Sequence, residues 1–241
     1  MALQLRVDGT WPGHMTLSSG WYRARVRPWN DSVTAPMIRL DRGGGEFLTS
    51  ITRYLNDIGE FVAYSPALYP DSTGVWERGG FKAHVRLELM EHGLRSPPHP
   101  GQVLDVITTA EPDWSKIHDL DSRSFHGFWT MSETGLREAF ETNRTSVVLQ
   151  IFAEGTLAGY AIVGMQWGIG YLHRIAVSPE AGGAGRGAAL LDSALVWARA
   201  HGARSMILNV RNENQRALRL YERGGFTKTG SSLVVLRHDQ Q

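Results

Sequence analysis

Hydrophobic and polar positions follow two different periods along the second half of the chain. Segments rich in apolar and β-branched side chains, bounded by turns, predict strands at 103–108, 146–153, 157–166, 171–177, 205–210 and 227–237. Segments with apolar residues three or four positions apart predict helices at 113–125, after the cap Ser132, at 186–201 and at 212–223. This order of elements is typical of an α/β protein with a central mixed sheet.

The sharpest break in the pattern is the segment Ser-Pro-Pro-His-Pro-Gly at residues 96–101. Proline lacks a backbone N–H and fixes its own φ, so three prolines in four positions end any helix or central strand. We therefore predict a linker at 96–101 between an N-terminal domain, 1–95, and a larger domain, 102–241. The length of 241 residues, between one and two ordinary domains, agrees with this division.

The N-terminal domain contains a faint copy of the end of the larger domain. Residues 76–81, Trp-Glu-Arg-Gly-Gly-Phe, match residues 221–226, Tyr-Glu-Arg-Gly-Gly-Phe, at five of six positions. At the same offset of 145 residues (221 minus 76), a predicted strand at 61–63 falls on one at 206–208. The agreement of motif and element order predicts that the chain arose by duplication.

Composition excludes several classes of protein. The chain has no cysteine, which excludes a disulfide framework, a cysteine-ligated zinc site and a cysteine nucleophile. Its net charge of +1 gives no general footprint for nucleic acid, and its many arginines fit codon bias, with selection for phosphate binding as the alternative. No apolar run approaches the ~20 residues of a membrane helix, and no signal-peptide layout opens the chain. We expect a soluble, cytoplasmic protein without a membrane or nucleic-acid partner.

The strongest chemical feature is a glycine-rich loop between the predicted strand at 171–177 and the predicted helix at 186–201. Four of the six residues 182–187 are glycines, so backbone N–H groups can converge there without side chains in the way. Because a helix N-terminus favours an anion, the natural ligand is a diphosphate. A loop that only packs tightly remains the alternative. The loop lacks the Gly-Lys-Ser/Thr of a P-loop, and Asn209 stands where a dinucleotide site needs an acid.

A second feature is the predicted helix that begins near Asn214. Ala217, Leu220 and Tyr221 share one of its faces, because residues three and four apart are neighbours on a helix. Tyr221 is either an ordinary core residue or, in a cleft, a proton donor to a leaving group.

Together these motifs resemble the GNAT superfamily of acyl-CoA-dependent N-acetyltransferases. The matching residues are Val177-x-Pro179, the glycine loop and Leu190-Leu191, followed by Asn214-x-x-Ala217-x-x-Leu220-Tyr221-Glu222-x-x-Gly225-Phe226. The likeness covers residues 103–237, in a layout similar to that of protein N-terminal acetyltransferases. It implies a GNAT fold, a mixed sheet flanked by helices, preceded by a smaller, degenerate GNAT-like domain in a tandem arrangement.

The resemblance implies that acetyl-CoA is the co-substrate and that no metal is needed. The residues that it assigns to acetyl-CoA are Ile175, Ala176, Val177, Gly182, Gly183, Ala184, Gly185, Arg186, Gly187, Asn214 and Tyr221. A primary amine of a small molecule or of a protein N-terminus would attack the thioester directly, and Tyr221 would assist the departing thiolate. Strand 171–177 would splay from strand 205–210 and leave a gap for the pantetheine arm.

Two departures from the family pattern affect the phosphate contacts and the general base. Gly182 stands where the family usually has Arg or Gln, although Arg186 is near enough in sequence to replace that contact. Asn209, which cannot take a proton, stands where many N-terminal acetyltransferases have Glu. We expect His173, four residues before Val177, to be the base, because a histidine of pKa about 6.5 suits neutral pH. A hydrogen-bonded, inert His173 is the alternative.

The N-terminal copy departs further from the family. Trp76 stands where the catalytic tyrosine would be, and Glu46, in the loop at 41–46, would repel phosphate. We therefore expect residues 1–95 to be a truncated, inactive half-repeat that covers the active domain, in a monomer with an internal pseudo-dimer or in a homodimer. An acyl-CoA sensor without turnover is the alternative to an enzyme.

The acceptor side is less defined in the sequence. The resemblance places His126 and Trp129 in the segment that shapes the acceptor pocket, although packing is the simpler role for Trp129. Glu133 and Glu138, on the same predicted helix, are candidates to bind a cationic substrate. The identity of the acceptor amine does not follow from these residues, since a fold does not determine its substrate.

Overall fold

The computed structural model describes residues 3–94 and 105–239. The predicted linker at 96–101 lies outside these residues. The chain divides into two compact units, of which one combines Met1–Leu87 with Ser232–Gln241 and the other is Glu88–Ser231. The second unit begins earlier and ends earlier than the larger domain predicted at 102–241. Two strands, described below, cross these limits.

The first unit is a small, mostly antiparallel sheet with a helix on one face. Its elements are β1 (Arg6–Asp8), β2 (Met15–Ser19), β3 (Tyr22–Trp29), β4 (Val33–Arg42), α1 (Gly45–Asp57), β5 (Val62–Tyr64) and α2 (Gly74–Arg78). Strands β1 to β4 pair in chain order, and β5 pairs parallel to β4. Apolar residues of α1, recurring every three or four positions, are buried against the sheet: Phe47, Leu48, Ile51 and Leu55.

The second unit has a mixed sheet that carries the predicted motifs. Its elements are β6 (Lys82–Gly93, entering this unit at Glu88), β7 (Val106–Thr109), α3 (Trp114–Ser124), α4 (Glu133–Glu141), β8 (Thr145–Ala153), β9 (Thr156–Gln166), β10 (Ile169–Val177), α5 (Arg186–Ala200), β11 (Ser205–Arg211), α6 (Gln215–Arg223) and β12 (Thr227–Asp239). The strand order is β6-β11-β10-β9-β8-β7, in which β10 and β11 are parallel. The α/β fold class predicted from the sequence is confirmed.

Helices cover both faces of this second sheet. On one face, the apolar side of α5 packs against alternate residues of the strands and forms a core with Leu190, Leu191, Ala194 and Leu195. On the other face, α3 and α4 bury Ile117, Leu120 and Leu136 against Tyr160 of β9. Since β9 is buried on both faces, it is apolar along almost its whole length, as its sequence indicates.

Strands β6 and β12 each contribute to both units. Met90 and Leu94 are buried in the core of the second unit, whereas Val234 and Leu236 of β12 are buried in the core of the first. In the first unit, β12 also pairs with β5. The end of the chain therefore packs with the first unit, and Glu88 begins the second unit before the end of β6.

The repeat that is visible in the sequence extends to side-chain packing. In the first unit the ring of Phe81 lies 5.1 Å from that of His238, and in the second unit the ring of Phe226 lies 5.4 Å from that of His92. The phenylalanines are 145 residues apart and the histidines 146 (226 minus 81, and 238 minus 92). Each unit thus packs a histidine of β6 or β12 against the aromatic residue of the repeated motif.

A buried ion pair ties α3 to β10 in the second unit. Arg174 donates from Nε and Nη2 to the two carboxylate oxygens of Asp121, at 2.8 and 2.7 Å. Asp121 is fully buried and also accepts a hydrogen bond from the Tyr160 hydroxyl. Because a lone buried charge is costly, Asp121 depends on these two donors.

The same guanidinium anchors the chain between α3 and α4. Its Nη2 donates to the Trp129 carbonyl oxygen at 2.8 Å, and its Cζ lies 3.5 Å from the centroid of the Phe125 ring. At the end of β11, Arg211 lies over the Trp129 ring at 4.8 Å. The segment from Phe125 to Trp129 is thereby held against strands β10 and β11.

Removing both charges of the Arg174–Asp121 pair should cost less stability than the sum of the two single losses. Arg174→Met and Asp121→Leu each leave one buried charge unpaired, and we expect each to lower the free energy of unfolding by about 3–5 kcal/mol. The double variant replaces both charges with apolar groups and should cost far less than the two losses added together. Urea unfolding of the four proteins measures this, and additive losses would contradict it.

Candidate active site

Strands β10 and β11 separate towards their carboxyl ends. Their parallel pairing joins Ile169 to Ser205, Gly170 to Met206 and Tyr171 to Ile207, and it does not continue along the rest of either strand. β10 runs on to Val177 with its other edge paired to β9. Beyond Tyr171 the edge of β10 that faces β11 is therefore not paired with it.

A β-bulge in β10 sets the direction of the site residues. Leu172 pairs with Val163 and Arg174 with Ile162, so His173 is an extra residue on the β10 side. The side chains of Leu172 and, after the bulge, Ile175 face the α5 core. His173 and Arg174 consequently share the opposite face, where α3 and α4 lie.

His173 is partly buried and is held by neutral partners. Its Nε2 bonds to Oδ1 of Asn143, which lies between α4 and β8, and its ring stacks on that of Tyr171 with centroids 5.9 Å apart. Burial lowers the pKa of His173 to about 4, whereas the sequence suggested an ordinary value near 6.5. The ring is therefore neutral at pH 7. The sequence had not indicated Asn143.

The glycine-rich loop follows directly from β10. Gly183 and Gly185 adopt positive φ angles of 86° and 71°, a conformation that favours glycine because it has no Cβ. Gly185 is the N-cap of α5, and residues 182–185 are exposed. The first N–H groups of a helix have no partner within the helix, so this exposed end is suited to bind an anion.

Two arginines border the loop, and the sequence indicated one of them. Arg186 donates from Nη1 to the Ala181 carbonyl oxygen at 2.9 Å, so it closes the loop on itself. Arg216 of α6 has its Nη2 3.3 Å from the point where a Cβ on Gly182 would lie. The cation beside Gly182 is thus Arg216, and its position two residues after Asn214, at a helix start, was the available signal.

Helix α6 carries the two remaining candidates of the sequence motif. Asn214 is its N-cap, and its Oδ1 accepts a hydrogen bond from the Ala217 N–H at 3.1 Å. Tyr221 is buried in the α5 core, 6.0 Å from the ring of Phe226. Burial raises the pKa of the Tyr221 hydroxyl to about 12, so this group stays protonated at neutral pH.

The remaining predicted residues lie in two different settings. Ala176 is buried against α3, and its backbone groups face β9, because the Ser178 N–H two residues later bonds to the Ala158 carbonyl oxygen of that strand. Glu133 is paired with Arg137 at 2.6 Å on the exposed side of α4. Sequence reasoning missed Arg174 and Asp121, although an acid four residues after Ile117, on an apolar helix face, was a usable signal.

Two general features of the described residues bear on the site. Between 3–94 and 105–239, no group of three His, Cys, Asp or Glu side chains lies together as metal ligands would. None of the helices in these ranges is long and apolar enough to cross a membrane.

The chain is similar in sequence to known acetyltransferases. A family model described as the acetyltransferase (GNAT) family matches residues 114–226. A mycothiol acetyltransferase of Geodermatophilus obscurus is 40% identical over 249 residues, which cover 94% of this chain and 78% of the relative. A mycothiol acetyltransferase of Stackebrandtia nassauensis is 32% identical over 130 residues, which cover 48% of this chain and 42% of the relative.

Solved structures show the same fold. A tandem GNAT protein from the clavulanic acid biosynthesis pathway has a TM-score of 0.66 at 14% identity and covers 94% of this chain and 82% of its own. A GCN5-related N-acetyltransferase of Sphaerobacter thermophilus has a TM-score of 0.58 at 16% identity. The match covers 96% of this chain and 82% of that protein. With the sequence relatives and the geometry of the site, these findings show that the chain is an enzyme of the GNAT family of acetyltransferases.

Proposed function

We propose that this protein transfers the acetyl group of acetyl-CoA to the primary amine of a small molecule, through a ternary complex in the cytoplasm. The observation that carries the proposal is the free edge of β10 beyond Tyr171, which leads directly into an exposed glycine loop at the start of α5. A thioester with a long amide-bearing arm and a diphosphate matches this sequence of features.

The pantetheine arm and the diphosphate of acetyl-CoA would bind mainly to backbone groups. The pantetheine amides would bond to the free edge of β10 at Ile175 and Val177, as an added strand does, whereas the backbone groups of Ala176 face β9. The diphosphate would accept hydrogen bonds from the N–H groups of Gly183, Ala184, Gly185, Arg186 and Gly187 in the loop and the first turn of α5. The Gly182 N–H bonds to the Pro179 carbonyl oxygen, so Gly182 would contribute by leaving space for the ligand. Arg216, beside Gly182, would supply the positive charge that the family pattern places in the loop. Asn214 would act indirectly, by capping α6.

The acceptor is proposed from the sequence relatives. The relative that aligns with 94% of this chain is a mycothiol acetyltransferase, which supports a small-molecule acceptor of the mycothiol type. A protein N-terminus is the second candidate. The acceptor would approach from the α3–α4 side, where Arg174 holds the Phe125 to Trp129 segment beside the gap.

The reaction is a direct transfer. The neutral amine attacks the thioester carbonyl carbon, a tetrahedral adduct forms, and its collapse breaks the C–S bond to release the CoA thiolate. Tyr221, with a pKa of about 12, is a weaker acid than a thiol of pKa about 8.5. Its hydroxyl would therefore donate a hydrogen bond to the leaving sulfur rather than surrender its proton.

His173 would take the proton that the amine nitrogen loses. A base of pKa about 4 deprotonates a free ammonium group only at a large cost, because each unit of difference costs about 1.4 kcal/mol. The nitrogen of the tetrahedral adduct is more acidic, since oxygen and sulfur on the neighbouring carbon withdraw electrons. We therefore assign His173 to the adduct, and the acceptor must arrive as the free amine.

The deciding experiment measures acetyl-CoA consumption against acceptors in parallel. The panel contains mycothiol-type thiol amines, simple primary amines and peptides with free N-termini. We expect turnover with a thiol amine, amide formation by mass spectrometry and no turnover with peptides. Acetyl-CoA binding by calorimetry without turnover on any acceptor would favour a sensor and contradict the proposal.

The loop glycines allow a matched test of acetyl-CoA binding. Gly183→Ala and Gly155→Ala both place a side chain at positive φ, 86° and 77°, with nothing within 4 Å of the added Cβ. The backbone strain is thus similar, but only Gly183 lies in the proposed diphosphate site. We expect Gly183→Ala to raise the KM for acetyl-CoA about tenfold or more, and Gly155→Ala to leave it unchanged. Equal KM values for the two variants would count against the site.

The roles of His173 and Tyr221 differ in how each loss can be rescued. His173→Ala should lower kcat by about 10²-fold at pH 7, and added imidazole should restore part of it as an external base. Tyr221→Phe should also lower kcat but show no rescue.

The pH profile provides a second readout. Because the pKa of His173 lies near 4, the wild-type kcat should show no step near pH 6.5 and should fall only as the pH approaches 4. A step near pH 6.5 that disappears in His173→Ala would contradict the low pKa. A kcat unchanged by His173→Ala would remove the base role.

A further inference from the structure

A small polar cluster lies behind His173 on the sheet face that α3 and α4 cover. Asn143, in the turn between α4 and β8, bonds through Oδ1 to Nε2 of His173. The other end of the same amide, Nδ2, donates to Oε1 of Gln166 at the end of β9, at 3.4 Å. One carboxamide thus links the histidine to a second amide.

The two contacts together specify the histidine tautomer. With Nδ2 directed at the Gln166 oxygen, Oδ1 is the atom of Asn143 that faces His173. Since a carbonyl oxygen can only accept, this orientation of the amide pairs it with a hydrogen on Nε2. A neutral imidazole has one N–H, and His173 is neutral at pH 7 because burial lowers its pKa to about 4. Nδ1 therefore holds the lone pair.

Gly164 of β9 provides the space for Asn143. A Cβ on Gly164 would lie 2.0 Å from Oδ1 of Asn143 and 2.6 Å from its Cγ, far inside van der Waals contact. Gly164 has no positive φ, so the requirement comes from space rather than from backbone conformation. In the sheet Gly164 stands between Ser146 and Tyr171, which places the amide on the same face as the His173 ring.

The protonation of His173 depends on burial and on this amide, because its other neighbours are neutral or already paired. From its own strand, Tyr171 stacks on the ring, and the charge of Arg174 is matched by Asp121 of α3. From the α4–β8 turn and from β9 come the neutral amides of Asn143 and Gln166. Burial is the cause of the lowered pKa.

We propose that Asn143, seated over Gly164, is a positioning residue that holds His173 as the Nε2–H tautomer and leaves Nδ1 to accept the amine proton. The proposal rests on the base role of His173 proposed above. In the step, the N–H bond of the adduct breaks, a bond from hydrogen to Nδ1 forms, and the electron pair remains on the amide nitrogen. The resulting imidazolium keeps its Nε2–H bond to Asn143, which stabilises the charge.

The tautomer can be read directly, without any activity. Long-range ¹H–¹⁵N spectra of the imidazole, assigned by the loss of signals in His173→Gln, distinguish Nε2–H from Nδ1–H. We expect wild type to show Nε2–H at pH 7 and Asn143→Ala to show a mixture or the other tautomer. Wild type in the Nδ1–H form, or a tautomer unchanged by Asn143→Ala, would overturn the proposal.

Kinetics test the consequence for the reaction. Asn143→Ala should lower kcat about tenfold or more with little change in the KM for acetyl-CoA, because Asn143 lies outside the loop. Asn143→Asp places a carboxylate beside the ring and favours the imidazolium, so the acidic limb of the kcat profile should move to higher pH. A kcat and an acidic limb equal to those of wild type in both variants would overturn the role.

Two glycine substitutions test whether the position of the Asn143 amide matters, without changing Asn143 itself. Gly164→Ala keeps both Asn143 and His173, but its added Cβ displaces the Asn143 amide. This variant should therefore show the same kcat and spectrum as Asn143→Ala. Gly93→Ala, where an added Cβ meets nothing within 4 Å, serves as the control and should behave as wild type. Thermal unfolding of each variant shows that the folded protein is being assayed.

Failure of this proposal and failure of the base role give different results. If His173→Ala retains full kcat, the base role and the catalytic part of this proposal both fail, whatever the spectra show. If His173→Ala is impaired but the Asn143 variants keep the wild-type tautomer and rate, the base role stands and the positioning role is overturned.

Discussion

The active site depends on one extra residue in a strand. The bulge at His173 shifts the alternation of β10, so that His173 and Arg174 point to the same face of the sheet while Ile175 and Val177 point to the other. His173 faces the amide of Asn143. Arg174 holds α3 through Asp121 and the chain before α4 through the Trp129 carbonyl oxygen. The pairing of β10 with β11 ends in the same region, at Tyr171, so the bulge and the end of this pairing lie close together in β10.

Burial rather than charge governs the two titratable groups of the site. It lowers the pKa of His173 to about 4 and raises that of Tyr221 to about 12, in each case because a low-dielectric environment disfavours the charged form. Both groups are therefore neutral across the physiological range. Such a site suits a reaction in which a neutral amine meets a neutral thioester, with charge developing only in the adduct. Arg216 adds a positive charge beside Gly182, at the loop that precedes α5.

Much of the fold follows from the periodicity of apolar residues. The features that do not follow from it depend on contacts between residues distant in sequence. The apolar spacing predicts α3 to α6 and β8 to β11, since each element buries one face or both on its own neighbours. The spacing does not show which unit buries each part of β6 and β12, because an apolar strand has the same sequence pattern in either core. The pairing of Asp121 with Arg174 across 53 positions, and of Asn143 with His173 across 30, likewise depends on contacts distant in sequence.

The sequence by itself determined the family, the glycine loop and the identities of the candidate residues, because loops that bind phosphate and helix caps are local and depend on nearby residues. It also determined that no cysteine takes part in the reaction. The tertiary structure decided what these residues can do. The protonation of His173, its partner Asn143 and the cation beside Gly182 all depend on which side chains meet across strands and helices, and a one-residue bulge is enough to change that set.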